Sequence, residues 1–171
     1  MSLELRRGLM GKVGIPKDAI IVAERSDNEA ALMDVIYAQG WSASPKYMRK
    51  SEAEKVTDIG TAFEGNTAIT DFSAFKYFTR VTTINNSAFR YCSQLALTEL
   101  PSGVRSIYTF AFEGCSQLTL TELPSGVTSI GLYAFRGCYQ LALTELPSGI
   151  TSISKGAFNS CSKLALTSLP S

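Results

Sequence analysis

The sequence of 171 residues contains no histidine. Histidine is the commonest general base and metal ligand, so its absence excludes Ser-His and Cys-His arrangements for nucleophilic catalysis. No apolar run approaches the roughly 18–20 residues of a membrane-spanning helix, so we expect no membrane insertion. No apolar stretch follows the early basic residues Arg6 and Arg7, so we expect no secretory signal in this chain.

An excess of charge of either sign is also absent, since 16 basic and 15 acidic residues leave a net charge of +1. This balance argues against nucleic acid as a partner. No pattern implies a cofactor. The hydrophobic share of 45% is enough for one domain, or for one domain with an appended cap.

What the sequence does contain is a strictly periodic internal repeat. The unit reads Ala-Phe-x-x-Cys-x-x-Leu-x-Leu-Thr-Glu-Leu-Pro-Ser-Gly-Val-x-Ser-Ile, and it recurs four times without an insertion. Such self-similarity is the signature of a repeat architecture. The recurring residues, each a constant step of 23 from the last, are Phe89, Phe112, Phe135 and Phe158; Cys92, Cys115, Cys138 and Cys161; Leu95, Leu118, Leu141 and Leu164; and Pro101, Pro124, Pro147 and Pro170.

Upstream the pattern decays, because the interval from Phe63 to Phe89 is longer than one period. We therefore predict an irregular first turn and two regions, a segment 1–55 and a repeat region 56–171. The pattern breaks off within a turn at Leu169–Ser171, which suggests an uncapped edge open to self-association.

A period of 23 lies in the range of leucine-rich repeats. One such turn buries too little apolar surface to offset the entropy of ordering it, so the turns must stack. We expect the parallel strands at Leu97–Leu100, stopped by Pro101, with a second short extended piece carrying Val104 and Ile107 inward.

The phrases Cys115–Leu118, Leu123–Ile130 and Ala134–Phe135 resemble BspA-like leucine-rich repeats of bacterial surface proteins. The resemblance covers residues 56–171 and implies a right-handed solenoid with roles in adhesion, host-factor binding or surface display. It transfers no catalytic residue. The opening residues Met1–Arg7 also resemble repeat proteins of gut bacteria and their prophages, which implies a cell-surface or phage-particle location.

The segment before the repeats has helical and extended signals. Ala19–Ala23 favours a strand, the capping pattern Ser26–Glu29 predicts a helix over 27–39, and Ser44-Pro45 suggests a second helix through Lys55. We interpret the segment as an N-terminal helical cap, with a separate attachment module as the alternative. Trp41 is expected to pack where the helix meets the stack rather than to hold a ligand.

The four repeated cysteines raise the question of a metal site or disulfides. Stacked turns lie about 4.8 Å apart, which places the outermost thiols too far apart for one zinc site. Parallel neighbouring side chains also leave Cβ atoms too far apart for a disulfide. We therefore predict a buried column of free thiols and no metal.

An acidic row formed by Glu99, Glu122 and Glu145, with Ser168 continuing it, carries the most functional content. This row has three interpretations: a solvated face, a docking stripe for a basic partner or a cation, and a retaining-glycosidase-like carboxylate pair.

A second row alternates in sign and should fix the register at the surface; its members are Arg90, Glu113, Arg136 and Asn159. The aromatic residues Tyr108, Phe110, Tyr133 and Tyr139 suit packing at the core edge or contact with carbohydrate.

Three functions are compatible with these patterns. The first is a protein-interaction or adhesion module with an unknown protein or glycan ligand, and the second is a structural spacer or assembly subunit. The third is a carbohydrate-active enzyme that uses the stacked glutamates.

Overall fold

The computed structural model describes residues 14–23 and 26–167. The likeness of Met1–Arg7 to prophage proteins and the predictions for Ser168 and Leu169–Ser171 therefore fall outside the described residues. The described elements, in chain order, are strand β1 (Ala19–Val22), helix α1 (Asp27–Ala38), strand β2 (Tyr47–Arg49), helix α2 (Lys50–Ala53), a 3-10 helix (Ser73–Tyr77), and strands β3 (Thr83–Ile84), β4 (Ser106–Ile107), β5 (Ser129–Ile130) and β6 (Ser152–Ile153).

Strands β3 to β6 form one parallel sheet in sequential order. Ile84 pairs with Ile107, Ile107 with Ile130, and Ile130 with Ile153, so each pairing joins equivalent positions of successive repeats. The Tyr108 N–H donates to Ile84 O at 2.9 Å, and the same bond recurs in the following repeats. The leucine-rich-repeat fold and its parallel strands are thus confirmed.

The prediction that the strands lie at Leu97–Leu100 was wrong. Leu95, Leu97 and Leu100 are all buried, and their spacing of two and then three positions breaks the alternation that a strand requires. In this segment neighbouring repeats are joined by only one or two backbone bonds, such as that from the Thr119 N–H to Leu97 O at 3.2 Å. The sheet forms instead at the second extended piece, which includes Ile107.

The loop after each strand carries a further ladder of hydrogen bonds between repeats. Alternate N–H groups point toward the next repeat, as the Phe89 N–H does to Ala111 O at 2.8 Å and the Tyr91 N–H to Glu113 O at 2.7 Å. The Phe112 N–H continues the ladder to Ala134 O at 2.7 Å. The turn is therefore bonded along the stack as firmly as the strand is.

A column of stacked phenylalanine rings runs through the core. Successive centroids are 5.1 to 5.5 Å apart, and the ring planes lie within 10° of parallel. This spacing matches about 4.8 Å between strands, so each ring lies offset over its neighbour in the favoured stacked arrangement. The column consists of Phe63, Phe89, Phe112, Phe135 and Phe158.

The N-terminal segment forms a small α/β unit. Helix α1 begins as predicted, with the Ser26 hydroxyl accepting the Glu29 N–H at 3.1 Å. It ends before Gly40, whose φ of 70° suits glycine at a helix end. The predicted strand at Ala19–Ala23 is present as β1.

The predicted second helix, from Pro45 to Lys55, is largely wrong. Residues Tyr47–Arg49 form β2 and pair antiparallel with β1, which leaves only Lys50–Ala53 helical. Strand β1 gains its hydrogen-bonding partner this way, and such tertiary pairing overrides a weak local preference for helix.

Several contacts join this unit to the repeats. Asn28 Oδ1 accepts the N–H groups of Thr70 at 2.7 Å and Asp71 at 3.0 Å, and its amide donates to Asp71 O at 2.9 Å. Trp41 lies 5.9 Å from Phe63 with its ring tilted by 43°, so it packs against the N-terminal end of the phenylalanine column. Leu32, Met33 and Ile36 of α1 belong to the same buried core as the repeats.

No helix within residues 14–23 and 26–167 is long and apolar enough to cross a membrane.

Candidate interaction surfaces

The acidic row lies on the exposed segment that precedes each Pro-Ser-Gly turn. Lys76 stands one repeat before Glu99 and binds its carboxylate at 2.8 Å. This hydrogen bond raises the pKa of Lys76 above its usual value. The lysine therefore neutralises one end of the row, and the row is not uniform along the stack.

Glu122 and Glu145 are both exposed and line one shallow groove of about 430 Å³. Its wall combines hydroxyl groups, from Thr121 and Ser125 among others, with the apolar side chain of Leu146. The groove thus offers two neighbouring carboxylates beside polar and apolar contacts. Of the predicted row, these two residues form a common site, Glu99 is paired away, and Ser168 lies outside the described residues.

The alternating row is only partly at the surface, which corrects the expectation of a surface ladder. The Glu113 side chain is 7% exposed and lies between two arginines, with Arg90 Nε at 2.7 Å and Arg136 Nη1 at 3.4 Å. The bond to Glu113 raises the pKa of Arg90 further above its usual value. Removing one partner of such a buried group leaves an uncompensated charge, so the row is integral to this side of the stack.

Aromatic rings surround these arginines. The Arg90 guanidinium lies 4.6 Å from the Tyr91 ring and 4.8 Å from the Phe110 ring. Phe110 stacks on Tyr133 at 5.9 Å, and Arg136 lies 5.3 Å from the Tyr133 ring. We call these six residues the arginine–aromatic face: Arg90, Tyr91, Phe110, Glu113, Tyr133 and Arg136.

Three of these rings are carried by residues with left-handed backbone. The φ angles are 60° for Tyr91, 58° for Phe110 and 52° for Tyr133. Side chains with a Cβ pay about 1–2 kcal/mol for this conformation, which glycine adopts freely. Other repeats place Gly114 or Gly156 at the equivalent positions.

Of the other predicted aromatic residues, Tyr108 and Tyr139 are each about half exposed.

The cysteines lie along the inner side of the stack. Cys92, Cys115 and Cys138 are buried, and Cys161 is partly buried; all four are free thiols. Each Sγ–H donates to the carbonyl of the preceding repeat's phenylalanine, from Cys92 to Phe63 O at 2.9 Å through Cys161 to Phe135 O at 3.1 Å. The thiol thus adds one buried bond between repeats. The described residues contain no group of three or more Cys, Asp or Glu side chains that could hold a metal ion.

Two contributors to these surfaces went unnoticed in the sequence. Lys76 stands one full period before Glu99, so extending the acidic row one step upstream would have found it. Tyr91 occupies a position that is glycine or serine in the regular repeats, and this exception was its only signal.

These geometries belong to a repeat scaffold, and the comparison with known proteins specifies which one. Residues 57–171 match the BspA-type leucine-rich-repeat region in six copies. The chain belongs to this family. Repeats of this class are generally non-enzymatic scaffolds. Among curated proteins, none matches the sequence.

Two solved bacterial structures are similar to the chain. A leucine-rich repeat protein from Bacteroides ovatus is 32% identical over 66% of this chain and 29% of its own length, with a TM-score of 0.55. The T. pallidum leucine-rich repeat protein is also 32% identical, over 64% of this chain and 50% of its own length, with a TM-score of 0.55. The chain therefore spans half or less of these two proteins.

Burial of the thiols predicts loss of stability at alkaline pH. Desolvation raises the pKa of Cys92 from its ordinary value of 9.0 to about 12. The contribution of the Cys92 thiol to folding stability is complete below pH 9, where the thiol is protonated in both states. This contribution is lost as pH rises toward 12, since only the unfolded chain then releases the proton. We expect Cys92→Ser, which keeps a hydroxyl donor and does not titrate, to flatten this fall by about 1 kcal/mol per pH unit, measured by urea unfolding from pH 8 to 12.

The partly buried Cys161 provides the matched control. Burial raises its pKa only to about 11. Cys161→Ser should therefore reduce the fall of stability with pH over a narrower pH range than Cys92→Ser does. Unfolding curves whose pH dependence is the same in the wild type and both variants would contradict the assignment.

Proposed function

We propose that the chain is a protein-interaction module that binds an extended, basic partner in the groove between Glu122 and Glu145. The observation that carries this proposal is the contrast within the acidic row. Lys76 already compensates Glu99 at 2.8 Å, whereas Glu122 and Glu145 lie together beside hydroxyl and apolar side chains.

The electrostatics of a stacked pair support this assignment. Carboxylates one repeat apart, at about 5 Å, repel by roughly 0.8 kcal/mol in water. A lysine or arginine side chain placed between them removes this repulsion and gains attraction to both. A partner that runs along the stack can repeat the contact, which suits the regular spacing of the repeats.

The finer architecture belongs to the same proposal. We propose a right-handed solenoid of about 23-residue turns over residues 56–171, closed by residues 1–55 as an N-terminal helical cap. The constant pairing offset supports the turn length. The Asn28 bonds and the Trp41–Phe63 contact support the cap, which here shields the first ring of the column. Family membership and the bacterial relatives support adhesion at a cell surface as the proposed setting. The likeness of Met1–Arg7 to prophage proteins supports a phage particle as the alternative setting.

The proposal predicts how glutamate substitutions affect binding of a basic peptide. An oligo-lysine peptide should bind the wild type, and Glu122→Gln/Glu145→Gln should weaken binding about fivefold to tenfold, because two weak exposed charge contacts are lost. Isothermal titration at low and moderate salt measures this, and added salt should lower the wild-type affinity.

Glu99→Gln is the matched control, since its carboxylate already pairs with Lys76. It should change peptide affinity by less than about twofold. Equal losses in the Glu99 variant and the double variant would contradict a site in the groove, as would an affinity that does not depend on any of the three glutamates.

A second candidate, self-association, rests on the last described strand. Ile153 in β6 is 38% exposed, whereas its equivalent Ile130 in β5 is 1% exposed. The N–H groups of Tyr133 and Phe135 donate to the following repeat. By equivalence, those of Gly156 and Phe158 offer the same template to a second copy of the chain.

If this edge pairs, Ile153→Lys should shift the chain toward monomer, because a charge on an edge strand opposes pairing. Sedimentation velocity over a concentration series measures the change. Leu132→Lys is the control, since Leu132 is similarly exposed at 36% but lies in an interior repeat. A wild type that stays monomeric at every concentration would exclude the edge as an interface.

The carbohydrate-active-enzyme alternative gains no support from the groove. Glu122 and Glu145 are both exposed and share the same open surroundings. Acid and nucleophile roles require the two carboxylates to lie in different environments, and this groove does not provide such a difference.

A further inference from the structure

The arginine–aromatic face is a surface on which the repeats of this chain differ from one another. The positions around it are nearly constant, as in Ala88-Phe89, Ala111-Phe112 and Ala134-Phe135. The face itself draws on two rows whose residue types change from repeat to repeat. One row is Arg90, Glu113, Arg136 and Asn159, and the other is Tyr91, Gly114, Gly137 and Ser160. Stacking therefore dictates the constant positions and leaves those of the face free for another role.

Backbone conformation points the same way. Tyr91, Phe110 and Tyr133 carry bulky rings at left-handed positions where the same chain elsewhere uses glycine or serine without disturbing the ladder. Residues held in disfavoured conformations cluster at binding and catalytic sites. Stacking alone does not require these rings, since Gly114 and Gly137 support the same inter-repeat bonds.

The face is organised and partly accessible. Contacts connect five of its residues in a closed circuit, from Arg90 through Phe110 and Tyr133 to Arg136 and back through Glu113. Tyr91 joins the circuit through Arg90. Tyr91 is 50% exposed, and the Arg136 side chain is 52% exposed. Glu113 holds both arginines in place, so the guanidinium groups are positioned before any ligand arrives.

We infer that this face binds an anionic polysaccharide, with carboxylate groups paired with Arg90 and Arg136 and a sugar ring packed beside the half-exposed Tyr91. Two arginines against one buried glutamate leave the face with net positive charge. Guanidinium groups bind carboxylates with two parallel hydrogen bonds, and aromatic faces attract the C–H groups of a sugar ring. A polymer whose carboxylates recur along its length can reach both arginines, which lie two repeats apart along the stack. An acidic peptide offers the charge without the rings.

This inference is independent of the acidic groove, because it concerns different residues and a ligand of opposite charge. Its test uses the full chain with polygalacturonate as the probe, and with neutral dextran and poly-glutamate for comparison, by isothermal titration. We expect polygalacturonate to bind and the other two polymers to bind at least about tenfold more weakly.

Tyr133→Gly is the informative variant, because it removes the ring and relaxes the backbone to the state that Gly156 already adopts. The folded chain should therefore persist, with unchanged circular dichroism, while polygalacturonate affinity falls about tenfold. Arg136→Ala should give a similar loss and weaken the salt dependence of binding.

Glu122→Gln/Glu145→Gln is the control on the other surface and should leave polygalacturonate affinity within about twofold. Several results would overturn the inference. They are absence of polygalacturonate binding, equal binding of poly-glutamate or dextran, and unchanged affinity in both Tyr133→Gly and Arg136→Ala. Failure of the oligo-lysine experiment would leave this test unaffected, so the two proposals can be judged separately.

Discussion

The structure depends on one constraint, the constant offset that brings identical residues of successive repeats into contact. At the spacing of a parallel sheet, two phenylalanine rings lie offset and parallel, as Phe89 and Phe112 do at 5.2 Å. The strand bonds, the ladder in the following loop and the thiol-to-carbonyl bonds all share this offset. Each is a modest contribution, and together they leave little freedom for slippage between repeats.

The same constraint determines what kind of function the molecule supports. Side chains that face outward appear as rows, so a ligand meets similar groups at regular intervals. Differences from repeat to repeat then define sites. Lys76 interrupts the acidic row and confines its uncompensated part to the groove at Glu122 and Glu145. Tyr91, Phe110 and Tyr133 likewise set one side of the stack apart from its neighbours.

Much of the fold could be predicted because repetition identifies core residues without knowledge of their partners. The phenylalanine and cysteine positions and helix α1 follow from spacing and capping alone. The strand location did not, since Leu97–Leu100 and Ser106–Ile107 are both short segments with apolar residues, and regular pairing between repeats forms only at the second. Strand β2 was missed because its pairing with β1 is a tertiary contact. The arginine–aromatic face could be predicted only in part, because Gly156 alone in the row of Phe110 and Tyr133 hints at their left-handed backbone.

The most direct test of the central constraint is a pair of deletions. Removing one whole repeat, from Ser116 to Cys138, joins Cys115 to Tyr139 and preserves the offset. Removing one residue fewer, from Gln117 to Cys138, breaks it. Thermal unfolding followed by circular dichroism should show a cooperative transition for the first deletion, at a lower temperature than wild type, and none for the second. Equally cooperative unfolding of both would contradict the account.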